Sequence, residues 1–135
     1  MASVCWRLRA RDGGYVQRLI SFDIDGTLEV GDPPGVIPLT AVRMARELGF
    51  VIGSCSDRTL SYQQELWSEH DVPMQFTVLK QNLSHVRAEF DDLEHYLHIG
   101  DTEIDEMMAR GAGFDFLHSI DDDVAAFMRE HRLHP

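Results

Sequence analysis

The chain has 135 residues, and 12 Lys and Arg against 23 Asp and Glu give it a net charge of −11 with the seven His taken as neutral. This length fits one domain. A composition of 44% hydrophobic and 26% charged residues excludes a disordered chain. No apolar run approaches the roughly 18 residues of a membrane helix. The acidic balance disfavours nucleic acid and acidic membranes as partners, and the lack of a signal-peptide pattern predicts a cytoplasmic protein.

The first 18 residues are basic, with four Arg and a single Asp. Apolar and basic residues alternate over residues 4–9, and an Asp-Gly-Gly turn signal follows at residues 12–14. These patterns favour either a hairpin that leads into the first core strand or a disordered basic arm, and both alternatives stay open. Residues 19–135 are predicted to form one domain.

Beyond this segment, short apolar runs alternate with stretches in which apolar residues recur every three or four positions, as strands and helices require. The predicted strands are residues 19–22, 50–53, 75–79, 96–99 and 114–117. The predicted helices are residues 39–48, 60–70, 83–90 and 103–110, with a last helix that starts after the Asp run at 121–123. Glycine or proline follows three of the helices and indicates where they end.

Five strands separated by helices predict an α/β fold with a doubly wound, Rossmann-like, five-stranded parallel sheet and helices on both faces. Parallel strands need crossover connections, so the carboxyl ends of all five meet at one edge. Ligands of such open sheets bind outside that edge. The residues that follow each strand are therefore the candidate site.

The first strand is followed by Asp23, Ile24, Asp25, Gly26 and Thr27. Close carboxylates raise one another's pKa unless a cation neutralises them, and ligands that offer oxygen alone suit Mg²⁺ better than Zn²⁺. The same Asp-x-Asp-Gly pattern is also common as a simple turn or helix cap. For this motif alone, the two interpretations are about equally good.

The next two strands end in small hydroxyl groups and in cations. Ser54, Ser56 and Arg58 could bind a phosphoryl oxygen, although Ser56 or Asp57 could equally cap the next helix. Lys80, the only lysine of the chain, could neutralise both a phosphate and a carboxylate. A lysine in such a position is more often a solvated surface charge.

The fourth strand leads into a Gly-Asp-Thr-Glu-Ile-Asp segment. Asp101 would face the same edge of the sheet, and Asp105 could bind or orient a ligand from the first helical turn. Helix capping by Asp101 is the alternative. Taken together, the strand ends place several acids, a hydroxyl group and a lysine on one edge, and this combination favours a functional site over unrelated caps.

In this order, the motifs resemble those of the haloacid dehalogenase-like (HAD) superfamily of phosphotransferases. Residues 23–28 match the family's Asp-x-Asp-Gly-Thr-Leu pattern in full, and residues 100–105 match its Gly-Asp motif with a following acid. Ser56 is preferred to Ser54 as the second-motif residue, and Lys80 matches the third motif, although Gln81 stands where Pro is frequent. The resemblance spans about residues 19–117.

The resemblance implies a Mg²⁺-dependent phosphatase. Asp23 would be the nucleophile that forms an aspartyl-phosphate, and Asp25 would be the general acid and base. Mg²⁺ would be bound by Asp23, Asp25 through its main-chain carbonyl, and Asp101, with Asp105 as a further acid of the metal site. Ser56 and Lys80 would hold the transferring oxygens. Further substrate contacts would come from Gly26, Thr27, Ser54 and Arg58.

The segments in which the family carries cap domains are short here, so the resemblance implies a capless, open site. Such a site suits a large phosphorylated substrate, a lid from another subunit of a homo-oligomer, or a small substrate with modest selectivity. Two other classes remain as alternatives: a receiver-like phospho-acceptor domain and a partner-binding module without turnover. The receiver pattern is disfavoured because no lysine follows Lys80.

Overall fold

The computed structural model describes residues 8–9 and 15–133. Its strands are β1 (Leu8–Arg9), β2 (Tyr15–Val16), β3 (Arg18–Phe22), β4 (Val51–Ser56), β5 (Phe76–Leu79), β6 (His95–Gly100) and β7 (Asp115–His118). Its α-helices are α1 (Leu39–Glu47), α2 (Leu60–Glu69), α3 (Leu83–Glu89), α4 (Glu103–Gly111) and α5 (Val124–Glu130), and a 3₁₀ turn at Lys80–Asn82 joins β5 to α3. None of the described helices has the length and apolar character needed to cross a bilayer.

Strands β3 to β7 form a parallel five-stranded sheet in the order β5-β4-β3-β6-β7. The first core strand, β3, is central, and the chain builds one side of the sheet before it crosses to the other. This confirms the predicted doubly wound α/β fold. The order reverses between β3 and β6, and the carboxyl ends of these strands are where ligands of such sheets bind.

Each strand supplies side chains to both faces of the sheet because successive residues point in opposite directions. One face packs against α1, α2 and α5 through a core that includes Ile20, Phe22, Ile52, Ile99, Val42, Trp67 and Val124. The other face packs against α3 and α4 through Leu19, Val51, Tyr96, Leu83, Val86 and Ala109. Helices therefore cover both faces of the sheet, and the polar groups of the candidate site lie at the ends of the strands.

Strand β4 is longer than the predicted strand at residues 50–53. It continues to Ser56 because its last four residues pair in register with the whole of β5. Ser54 and Ser56 consequently lie within the strand and not in the loop after it. Both side chains belong to the same face of the sheet, since they are two residues apart.

The helix caps differ from those considered from the sequence. Thr59 caps α2 by accepting a hydrogen bond from the N–H of Tyr62, and Thr102 caps α4 by accepting one from the N–H of Asp105. Asp57 and Asp101 therefore do not serve as these caps. The carboxylate of Asp101 remains available at the edge of the sheet.

In the basic N-terminal segment, β1 pairs with β2 in antiparallel fashion, with Leu8 opposite Val16. Such pairing is a feature of the hairpin alternative, but the turn predicted at residues 12–14 lies outside the described residues, so the hairpin itself stays a prediction. The segment joins the main sheet through Gln17, whose carbonyl accepts the N–H of Glu94. Residues 1–7 are also outside the described part of the chain.

Candidate active site

Asp23 is buried at the carboxyl end of the central strand, with 3% of the residue exposed. Its main-chain N–H donates to the carbonyl of Ile99 in β6, and its Oδ1 accepts the N–H of Ile24 at 2.7 Å. Its Oδ2 lies 3.3 Å from Nζ of Lys80. Burial and the nearby carboxylate of Asp105 raise the pKa of Asp23 to about 8. Ionisation of this carboxyl at neutral pH therefore needs additional positive charge.

Asp23, Asp101 and Asp105 form a group in which one carboxylate oxygen of each lies within 4.8 Å of the others. Gly26 makes this approach possible: its φ is +72°, and a Cβ at this position would lie 1.9 Å from Oδ2 of Asp101. If all three were ionised, these carboxylates would carry more negative charge than Lys80 alone neutralises. The group could bind a metal ion, and its donors are the oxygen ligands that hard divalent cations prefer.

Lys80 is the cation of this group and is only 7% exposed. Its Nζ lies 3.3 Å from Asp23, 3.2 Å from Oδ1 of Asp105 and 3.6 Å from Asp57. Burial alone would lower the pKa of Lys80, but the charges of Asp23 and Asp105 outweigh it and raise that pKa. The lysine is thus a buried, charged member of the site and not a solvated surface residue.

Asp105 is held by a chain of buried hydrogen bonds. Its Oδ1 lies 3.0 Å from Nε2 of His98, and Nδ1 of His98 lies 2.9 Å from Oγ of Ser21. Its Oδ2 accepts the hydroxyl of Thr102 at 2.8 Å, and both oxygens contact Lys80. Burial raises the pKa of Asp105, but the contacts with His98 and Lys80 bring it below the usual range. Asp105 is therefore ionised, and its oxygens are already engaged.

The carboxylate of Asp25 turns away from this group and binds Arg58. Nε of Arg58 donates to Oδ2 at 2.8 Å, Nη2 donates to Oδ1 at 3.1 Å, and the N–H of Asp32 adds a bond of 2.8 Å. Partial burial raises the pKa of Asp25, but the bonds from Arg58 and Asp32 outweigh it and lower that pKa. The guanidinium of Arg58 stacks over the ring of Tyr62 at 4.9 Å. Asp25 is thus positioned as a carboxylate beside the three acids and not as one of them.

The two serines of β4 have different surroundings. Ser54 donates to Oε1 of Gln63 at 2.6 Å and accepts the indole N–H of Trp67 at 2.9 Å, so helix α2 engages its hydroxyl. Ser56 lies at the end of the strand, and its Oγ accepts the N–H of Arg58 at 3.0 Å. The structure therefore brings Ser56, and not Ser54, to the residues that follow the strand.

Thr27 is fully buried, although the motif suggested it as a substrate contact. Within the described part of the chain its Oγ1 has no hydrogen-bond partner. The main chain of Thr27 makes hydrogen bonds with the main chain of residues 24 and 37. These bonds hold the loop at residues 29–38 beside the motif. A substrate at the edge of the sheet therefore does not reach this hydroxyl in the observed conformation.

Four residues near the site have no counterpart among the candidates from the sequence. Ser21 and His98 support Asp105, and their contact depends on their pairing in register between β3 and β6. Thr102 stands three residues before an acid, a spacing typical of a capped helix start, and could have been found from that pattern. Ser119 donates to the carbonyl of Gly26 at 2.8 Å and fixes the turn, with no local signal in the sequence.

No protein-family model matches this chain, and no curated protein matches it either. The likeness of its motifs to those of HAD phosphotransferases thus stays a prediction. The chemistry of the site has to be inferred from its own residues.

Proposed function

We propose that this protein is a Mg²⁺-dependent phosphatase that hydrolyses a phosphomonoester through an aspartyl-phosphate on Asp23. The observation that supports this most strongly is the group of Asp23, Asp101 and Asp105 at the edge of the sheet, in which Lys80 contacts Asp23 and Asp105. It combines a carboxylate nucleophile with an incompletely neutralised set of oxygen ligands. The motif resemblance points to the same residues.

Asp23 and Asp101 are the side chains best suited to hold the metal, together with the main-chain carbonyl of Asp25 that the resemblance implies. Asp105 is less suited as a direct ligand, because His98, Thr102 and Lys80 already occupy its oxygens. It would instead position Lys80. A bound Mg²⁺ would supply charge neutralisation that lets an anionic carboxylate approach an anionic phosphate.

In the first step, a carboxylate oxygen of Asp23 attacks the phosphorus, and the bond from phosphorus to the leaving oxygen breaks. Asp25 gives its proton to that oxygen, so the product leaves as an alcohol. In the second step, Asp25 takes a proton from water, and the water oxygen attacks the phosphorus of the aspartyl-phosphate. The bond from phosphorus to the Asp23 oxygen breaks, which releases inorganic phosphate and regenerates the Asp23 carboxylate. Two easier displacements thus replace a single difficult one.

The contact with Arg58 controls whether Asp25 can be protonated. In the structure Arg58 holds Asp25 as a carboxylate and lowers its pKa. The phosphate of a substrate is a better bidentate partner for a guanidinium than a single carboxylate, because it carries more charge. Transfer of Arg58 from Asp25 to the substrate would bind the phosphate and allow Asp25 to take up a proton.

Lys80 and Ser56 would contact the oxygens of the transferring phosphoryl group. Nζ of Lys80 lies beside the nucleophilic carboxylate, where charge builds up in the transition state. The Oγ of Ser56 accepts a bond from the main chain of Arg58, which leaves its own hydrogen available for a phosphoryl oxygen.

A second candidate function is that of a phospho-acceptor that is modified on Asp23 but does not turn over. The bidentate contact with Arg58 favours it, because Asp25 with a lowered pKa is a poor general acid. In such a protein Arg58 would stay on Asp25 after phosphorylation. Hydrolysis of the aspartyl-phosphate would then be slow.

Phosphate release distinguishes these functions when it is measured with an aryl phosphate and a panel of sugar, nucleotide and peptide phosphates, with Mg²⁺ and with EDTA. We expect Mg²⁺-dependent turnover that Asp23→Asn lowers by at least about a thousandfold. Asp91→Asn, which removes an exposed carboxylate at the end of α3, should leave turnover unchanged. Stoichiometric labelling of Asp23 by acetyl phosphate without turnover would support the phospho-acceptor. The absence of both turnover and labelling would refute both functions.

A further inference from the structure

A cavity lies at the opposite edge of the sheet from Asp23. It has a volume of about 310 Å³ and opens where the first residues of β3, β6 and β7 meet the end of α5. Apolar side chains that include Phe50, Leu97 and Phe127 form much of its wall. This volume is at the lower end of the range of small-molecule sites, roughly 300–1,000 Å³.

Arg18 lines this cavity and has no acidic partner in the described part of the chain. Its Nη1 donates to Nδ1 of His131 at 3.1 Å, and its guanidinium lies 5.7 Å from the centre of the Phe50 ring. Its Nε is buried, and the described residues offer it no hydrogen-bond acceptor. A guanidinium that is partly removed from water is normally paired with an anion, because its desolvation is otherwise uncompensated.

Arg18 is the charged group at this end of the cavity, and the residues beside it do not neutralise it through a direct ion pair among those described. Burial and the charge of Arg18 lower the pKa of His131, so its imidazole is neutral and accepts the bond from Arg18. His95 is the residue that pairs with Arg18 in register on β6. The cavity has one acidic lining residue among those described, Asp115 on β7, which is two strands and so roughly 10 Å away from β3.

We infer that this cavity is a binding site for a small amphipathic carboxylate. The apolar or aromatic body of the ligand would lie against Phe50, Leu97 and Phe127, and its carboxylate would pair with Arg18. A carboxylate offers two acceptor oxygens side by side, which match the donors of a guanidinium. The site is independent of the proposed phosphatase function, because it uses none of the residues around Asp23.

An NMR titration of the full-length chain with 3-phenylpropionate tests this inference. The matched neutral probe is 3-phenylpropionamide, and acetate tests the carboxylate without the apolar body. We expect chemical-shift changes at the amides of Arg18, Leu97 and Phe127, with affinity for the amide and for acetate lower by about tenfold or more. Equal affinity for the amide, no binding at millimolar ligand, or shifts centred on Asp23 would each overturn the inference.

Variants separate the carboxylate contact from a general effect of charge. Arg18→Met should weaken 3-phenylpropionate binding by about tenfold or more, because it removes the paired cation but keeps much of the apolar stem. Arg110→Met removes an exposed Arg that pairs with Glu106 and should leave binding unchanged, as should Asp23→Asn. An Arg18→Met chain that binds normally would overturn the inference. The comparison of carboxylate with amide uses the unaltered chain, so it decides the question even where Arg18→Met does not fold.

Discussion

Arg58 holds both carboxylate oxygens of Asp25, at 2.8 Å through Nε and 3.1 Å through Nη2. Both side chains are about one-third exposed, so solvent screens the pair and it contributes little to the stability of the fold. The effect of the contact is chemical: it keeps Asp25 ionised while the site is empty of substrate. Under the proposed function, the same guanidinium would bind the phosphate of an incoming substrate.

Arg58→Met should raise the pKa of Asp25 towards its ordinary value, because the hydrogen bonds that stabilise the carboxylate are lost. Carboxyl ¹³C NMR of Asp25 across an acid titration measures this change. Under the proposed function, KM for a phosphomonoester should also rise by about tenfold or more, since a bidentate phosphate contact disappears. Arg110→Met serves as the control, and an unchanged KM together with an unchanged Asp25 titration would contradict the assigned role of Arg58.

Lys80→Met should destabilise the fold by about 3–5 kcal/mol, because it leaves the buried, ionised carboxylate of Asp105 without its cation. A divalent cation should restore part of this loss, since it supplies the missing positive charge. Urea unfolding with and without Mg²⁺ measures both effects. We expect Mg²⁺ to stabilise Lys80→Met more than the unaltered chain. The double variant with Lys80→Met and Asp101→Asn should not show this additional stabilisation. Equal responses of all three proteins to Mg²⁺ would speak against a metal site here.

The sheet and the edge that carries the candidate site could be predicted because they depend on local patterns. A buried parallel strand is a short apolar run, and the residue after it must lie at the carboxyl edge whatever its partners are. The sequence therefore predicts Asp23, Lys80 and Asp101 at one edge, whatever the order of the strands. Their distances to one another depend on that order and on register, which no local pattern specifies.

The remaining parts of the site depend on contacts between distant segments. Ser21 and His98 meet because two strands that lie 77 positions apart pair in one register, and a shift by one residue would point them to opposite faces. The choice between Ser54 and Ser56 depends on α2, whose Gln63 and Trp67 engage the first of these hydroxyls. The periodicity of β4 places both serines on one face and cannot separate them.

Stability should fall as the pH falls below about 6.5, the ordinary pKa of His, because the fold favours neutral His131. The pKa of His131 is lower in the folded chain than in the unfolded chain, so below pH 6.5 the unfolded chain binds more protons. The loss of stability continues until the pH reaches the pKa of His131 in the folded chain. Urea unfolding at several pH values, compared between the unaltered chain and His131→Gln, isolates this contribution. His85→Gln, an exposed change on α3, is the control. The prediction fails if His131→Gln retains the full pH dependence between neutral pH and pH 5.

Gly26→Ala should disable the site, because the new Cβ would occupy the position of the Asp101 carboxylate, 1.9 Å from its Oδ2, at a φ of +72° that disfavours alanine. Displacement of Asp101 should weaken Mg²⁺ binding by at least about tenfold, in line with the loss of a ligand or its orientation. Under the proposed function, turnover should fall with it. Gly111→Ala is the matched control. Apart from the neighbouring residues of its own helix, the described part of the chain places no atom within 4 Å of a Cβ there, so the fold should be unaffected or slightly more stable. Calorimetric titration with Mg²⁺ on both variants measures the difference, and unchanged affinity in Gly26→Ala would show that Asp101 is not a metal ligand.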